Sequence, residues 1–83
     1  MDQSPKNLAK KYASTLKQAL QAQFSLSLEN LSLLEREGGA YFSEKVPDTL
    51  CVLIVDEEGG GLYLAKGTPR GEEIADIKCL MIA

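Results

Sequence analysis

Leu50-Cys51-Val52-Leu53-Ile54-Val55 is apolar at every position, and its reading decides the fold. Side chains of a strand alternate between faces, so Cys51, Leu53 and Val55 point one way and Leu50, Val52 and Ile54 the other. Both faces of such a strand must leave water. A second run, Ile77-Lys78-Cys79-Leu80-Met81-Ile82, has nearly the same character close to the end of the sequence. The sequence offers one clear helix to cover one side of a sheet built from these runs, which leaves the other side for a partner.

That helix is expected over residues 5–23. Ser4 supplies an N-cap oxygen and Pro5 the first helical position, where a missing N–H costs nothing. Leu8, Tyr12, Leu16 and Leu20 recur every four residues, with Ala9, Ala13 and Ala19 widening the stripe. Lys6, Lys10 and Lys17 fall on the opposite flank as a solvated basic edge.

From Phe24 the period changes to two: Phe24, Leu26 and Leu28 alternate with Ser25 and Ser27. We read this as a strand continuing through Leu31 and Leu33, with a β-bulge near Glu29-Asn30 absorbing a one-residue slip. The alternative is a second helix over 27–37, capped by Ser27 and stopped by Gly38, which would cover the other sheet face and remove the need for a partner. A tight turn at Glu37-Gly38-Gly39-Ala40 then leads into a short strand from Tyr41 to Val46, ended by Pro47-Asp48. Asp56-Glu57-Glu58-Gly59-Gly60-Gly61 is a hairpin loop before the strand Leu62-Tyr63-Leu64-Ala65-Lys66. Gly67-Thr68-Pro69-Arg70-Gly71 reads as the next turn. The expected fold is α+β: an N-terminal helix packed on one face of a four- to five-stranded antiparallel meander, as one small domain over 1–83.

At 83 residues the chain buries only roughly 60 to 65% of its unfolded surface, so self-association would add to a thin margin of stability. Its 45% apolar and 25% charged content is ordinary for a folded protein. No run approaches the roughly 18 to 20 apolar residues of a membrane span, and the lysine-containing N-terminus lacks the apolar core of a signal peptide. A cytoplasmic protein without a membrane segment is the expectation. Two cysteines, one in each apolar run, suit buried thiols better than a disulfide framework, although a single Cys51–Cys79 bridge stays open.

The residue types narrow the chemistry. There is no histidine, which removes the commonest general base and metal ligand, and the cysteines lack the spacing of a zinc or iron–sulfur site. Asp56, Glu57 and Glu58 match no alternating calcium-loop pattern and read as a solvated hairpin tip. The three glycines that follow lack the lysine, hydroxyl residue and helix of a phosphate loop. No cofactor, metal site or catalytic residue is therefore assigned. Charge divides unevenly, +3 over residues 1–23 and −6 over 24–83. Four lysines without arginine or interleaved exposed aromatics are a thin footprint for nucleic acid, and the acidic remainder opposes it.

The leading expectation is a non-enzymatic protein–protein interaction module, a regulator, inhibitor, adaptor or chaperone. It would associate through an apolar sheet face or edge, as a homodimer or with another protein. Val52, Ile54, Leu80 and Ile82, with Tyr63, are the residues expected on that face, and Ile54→Lys or Ile82→Lys would then each yield a monomer. A one-residue slip in register exchanges them for Leu53, Val55, Cys79 and Met81. The alternative is a small-ligand-binding protein or accessory enzyme subunit with a pocket between helix and sheet, for which Tyr12, Tyr41 and Arg70 are the candidate polar contacts.

Overall fold

Ser4 and Pro5 start the helical layer as their types predict. The Ser4 side chain accepts a hydrogen bond from the Asn7 N–H at 3.2 Å, and Pro5 opens α1 (Pro5–Lys11). The computed structural model describes residues 3–83. After α1 the backbone relaxes at Tyr12 (φ −100°, ψ 9°) and resumes as α2 (Ala13–Phe24). The ladder passes through this joint, because Tyr12 N–H donates to Leu8 and Leu16 N–H donates to Tyr12, both at 3.0 Å. The two helices therefore bury one stripe, Leu8, Ala9, Tyr12, Leu16 and Leu20, against the sheet. Full burial of side chains such as Leu16 and Leu20 stabilises by about 1.5–3 kcal/mol each.

Five antiparallel strands follow: β1 (Leu31–Leu33), β2 (Ala40–Phe42), β3 (Leu50–Asp56), β4 (Leu62–Arg70) and β5 (Glu73–Met81). β3, β4 and β5 lie side by side, and β1 and β2 sit end to end along the other edge of β3. The expected α+β fold, with helix packed on one face of an antiparallel sheet, is the one observed.

Of the strand expected from Phe24 through Leu33, only Leu31–Leu33 forms, as β1, and the alternative helix over 27–37 does not form. Phe24 still belongs to α2, and Ser25 ends the helix in the left-handed region (φ 55°), its N–H donating to Gln21 at 2.9 Å. A single 3₁₀ turn over Leu28–Asn30 then delivers the chain to β1. Phe24 and Leu26 both pack against the core, Phe24 with its ring 5.0 Å from that of Tyr63. Their spacing of two spans the end of α2 and the linker after it, not strand pairing.

β1 and β2 are one edge strand interrupted by residues 34–39. Leu33 pairs with Ile54 and Ala40 with Val52, so the excursion closes around Leu53 alone. Leu34 N–H donates to the Leu53 carbonyl at 2.9 Å, and Leu53 N–H donates to the Gly39 carbonyl at 2.8 Å. β2 ends at Phe42, short of the expected Val46, and residues 43–49 form a loop.

The turn expected at Gly67–Gly71 lies later. β4 runs straight through Gly67, Thr68 and Pro69 to Arg70, and the reversal is made by Gly71-Glu72, with Gly71 at φ 65°. Proline is tolerated there because the pairing of β3 with β4 stops at Leu50↔Gly67, so beyond Gly67 that edge of β4 carries no β3 ladder to break. Opposite Gly67, β5 carries one extra residue, a bulge with Asp76 at φ 55°. A Cβ on Gly67 would stand 2.8 Å from Ile74 Cγ1 and 2.9 Å from the Ala75 carbonyl, so the bulge closes only over glycine.

Candidate functional site: the uncovered sheet face

The helices cover the face of Leu50, Val52 and Ile54, and the partners of these residues in register continue the same layer: Ala65 beside Val52 and Tyr63 beside Ile54. Val52, Ile54 and Tyr63, expected on the uncovered face, are thus core residues, at 1%, 0% and 5% exposure. Every position of β3 is apolar from Leu50 to Val55, so its pattern fits either orientation. Docking of the helices, with Leu16 and Leu20 fully buried, selects the even-numbered set. Leu80 and Ile82 do lie on the uncovered side, each 51% exposed. They stand opposite in facing to Val52 and Ile54, because Leu80 is in register with Leu64 and Leu53.

Three rows of three side chains build the uncovered face. Leu53, Leu64 and Leu80 are consecutive cross-strand partners and form the middle row. Towards the β3–β4 hairpin, Val55 pairs with Leu62, and the Ile82 N–H donates to the Leu62 carbonyl at 2.7 Å, completing a second apolar row. On the other side Cys51, Lys66 and Lys78 are cross-strand partners, extended by Tyr41 on β2. Leu53 and Val55 are the β3 residues that the one-residue slip in register names for this face, whereas Leu64 and the lysine row were not singled out from sequence. The alternation of Leu62, Leu64 and Lys66 with Tyr63, Ala65 and Gly67 carried that information once one of the two sets was known to be internal.

At the lysine end the 43–49 loop rises beside the sheet and leaves a groove of about 920 Å³. Tyr41, Cys51, Lys66 and Lys78 line it, with Val46 of the loop 56% exposed at its wall. Lys45, Lys66 and Lys78 outnumber Glu44 and Asp76 among its charged groups. Burial pushes the Cys51 thiol above its ordinary pKa, while the Lys66 ammonium and a hydrogen bond from Tyr41 pull the other way. Burial also raises the Tyr41 hydroxyl, with Cys51 adding to the shift. A thiol held up in this way is a poor nucleophile.

Cys79 faces the helices, and burial raises its thiol too. Cys51 and Cys79 sit on opposite faces with β4 between them, so the bridge left open by the sequence does not form and both thiols are free.

No family model, no curated protein and no solved structure matches this chain.

The three polar candidates for a pocket between helix and sheet do not converge. The buried Tyr12 hydroxyl donates to the Gly71 carbonyl at 2.5 Å, Arg70 lies on a shallow depression beside Phe42 and Asp48, and Tyr41 belongs to the opposite face. A cavity of about 330 Å³ does lie between α1 and the 34–39 excursion, but none of the three lines it. Asp56 accepts a hydrogen bond from the Glu58 N–H at 3.1 Å and so shapes the hairpin tip, and among the described residues no group of three His, Cys, Asp or Glu side chains is placed to hold a metal.

The sheet's edges are less inviting than its face. β1 and β2 are three residues each and interrupted, β5 carries the Asp76 bulge, and Gln23 Nε2 occupies the Cys79 carbonyl at 3.0 Å. Short, bulged and side-chain-capped edges discourage strand addition. Among the described residues no helix is long and apolar enough to cross a membrane.

Proposed function

We propose that this chain is a non-enzymatic protein–protein interaction module that acts through the uncovered face of its sheet. The observation that carries the reading is the pair of apolar rows, Leu53-Leu64-Leu80 and Val55-Leu62-Ile82, which no layer among the described residues covers. Contiguous exposed apolar surface is costly to keep in water and marks interaction surfaces. The blunted edges favour face packing over strand addition. A regulator, adaptor, inhibitor or chaperone would all use such a face in the same physical way.

Site-specific photo-crosslinking tests it. A photoreactive residue at Leu80 or Ile82, expressed in the source cells, is expected to trap a defined protein adduct, identified by mass spectrometry, whereas the exposed helix position Gln18 gives none. Equal labelling at all three positions, or none at Leu80 and Ile82, would sink the proposal.

The groove beside the lysine row supports a second reading, a small-ligand-binding or accessory subunit. Its floor offers two adjacent ammonium groups and an aromatic hydroxyl, which suits a compact anion. Binding of small carboxylates or phosphates that is abolished by Lys66→Ala would favour this reading over the first.

A further inference from the structure

Along the strands the uncovered face changes character in one direction. It passes from the lysine row, Cys51-Lys66-Lys78, through two apolar rows to the hairpin tip, where Glu57 and Glu58 are exposed. Glu57 is the first residue of the turn beyond β3, two positions after Val55. Its backbone is held in place, its N–H donating to the Asn30 carbonyl at 2.7 Å while Gly60 N–H donates to Asp56 at 2.7 Å. The order basic, apolar, apolar, acidic is its own complement when reversed.

We propose that the occupant of this face is a second copy of the chain, docked face to face about a twofold axis that lies across the strands between the Leu53 and Val55 rows. This rests on reading the uncovered face as an interface. The rotation lays each Leu53-Leu64-Leu80 row on the partner copy's Val55-Leu62-Ile82 row. It also brings each hairpin tip over the other copy's lysine row, in the groove beside the 43–49 loop. Stacked sheets lie roughly 10 Å apart, a gap that a lysine and a glutamate side chain span together. Gly59, Gly60 and Gly61 keep the entering tip slim, and the groove of about 920 Å³ receives it. Other twofold axes do not serve as well. An axis along the strands sets the lysine rows on one another, and an axis through the middle row sets lysines on Val55, Leu62 and Ile82. Both desolvate charge without a partner. The three rows cover on the order of a few hundred Å² per copy, at the low end for a specific interface, so the dimer is expected to dissociate on dilution through the micromolar range.

The test is a charge exchange read by sedimentation equilibrium. Wild type should approach twice the chain mass at high micromolar concentration. Lys66→Glu with Lys78→Glu in one variant, and Glu57→Lys with Glu58→Lys in another, should each weaken the dimer by about tenfold or more. These four positions are exposed or half-buried, and circular dichroism checks that each variant folds. An equimolar mixture of the two variants should dimerise again, because each then meets opposite charge at both ends. Failure of the mixture to recover, or dimers indifferent to both charge changes, overturns the arrangement. A wild-type monomer at every concentration overturns self-docking, and Leu80 crosslinks to a different protein in cells would then leave the interaction reading standing without it. A dimer that Leu80→Lys leaves unchanged overturns the proposed face itself.

Discussion

The Tyr12 hydroxyl donates to the Gly71 carbonyl oxygen at 2.5 Å, joining the α1–α2 joint to the β4–β5 turn across 59 positions of sequence. The ring is 3% exposed and belongs to the core, so the residue both packs and ties. Tyr12→Phe keeps the packing and removes the tie. Gly71 is exposed, so water replaces the lost donor, and the cost should be about 0.5–1.5 kcal/mol in chemical denaturation. Tyr12→Ala also opens a cavity and should cost about 3–5 kcal/mol. A Tyr12→Phe variant as unstable as Tyr12→Ala would contradict this division.

Gly39 is fixed by a close approach. A Cβ there would stand 1.7 Å from the Leu34 carbonyl oxygen, and backbone cannot yield as a flexible side chain does. Gly38 has open space around it but a φ of 88°. Gly39→Ala should therefore destabilise more than Gly38→Ala, whose cost is confined to roughly 1–2 kcal/mol of left-handed strain. Urea melts of the two variants check the order.

Ile54→Lys and Leu80→Lys separate the two sides of the sheet. Ile54 is fully buried beneath the helices, so its lysine variant should fail to fold cooperatively, in place of the soluble monomer that the sequence alone suggests. Leu80→Lys should keep the wild-type melting curve to within about 1 kcal/mol. Thermal melts followed by circular dichroism read both, and the opposite ranking would reverse the assignment of faces.

The two thiols predict a loss of stability in alkali. Burial raises the pKa of Cys51 and Cys79 in the folded state, so the folded chain holds these protons where the unfolded chain releases them. Their stabilising contribution is complete below the ordinary thiol value of 9.0 and declines as pH rises through the raised values. Denaturation midpoints should fall above pH 9.0, and a Cys51→Ala, Cys79→Ala variant should show a flatter decline. An identical alkaline slope in that variant would remove the thiols as its cause.

The local chemistry of Ser4-Pro5, the four-residue spacing from Leu8 to Leu20 and the glycines after Glu58 were enough to read the helix, the β3–β4 hairpin and the α+β class, because capping, periodicity and turn formation are properties of neighbours in sequence. The strand expected through Leu31 and Leu33 formed as β1, but residues 24–30 were misread, since a spacing of two suits a helix end and linker that alternately meet core and solvent as well as it suits a strand. Gly67-Thr68-Pro69 looked like a turn because the absence of a β3 partner beside Pro69 is visible only in the assembled sheet. The apolar run Leu50-Cys51-Val52-Leu53-Ile54-Val55 showed by itself that neither face of β3 is polar. Which face the helices took was decided by tertiary packing alone: a one-residue choice of facing exchanges two almost equally apolar sets, and only docking against Leu16 and Leu20 distinguishes them.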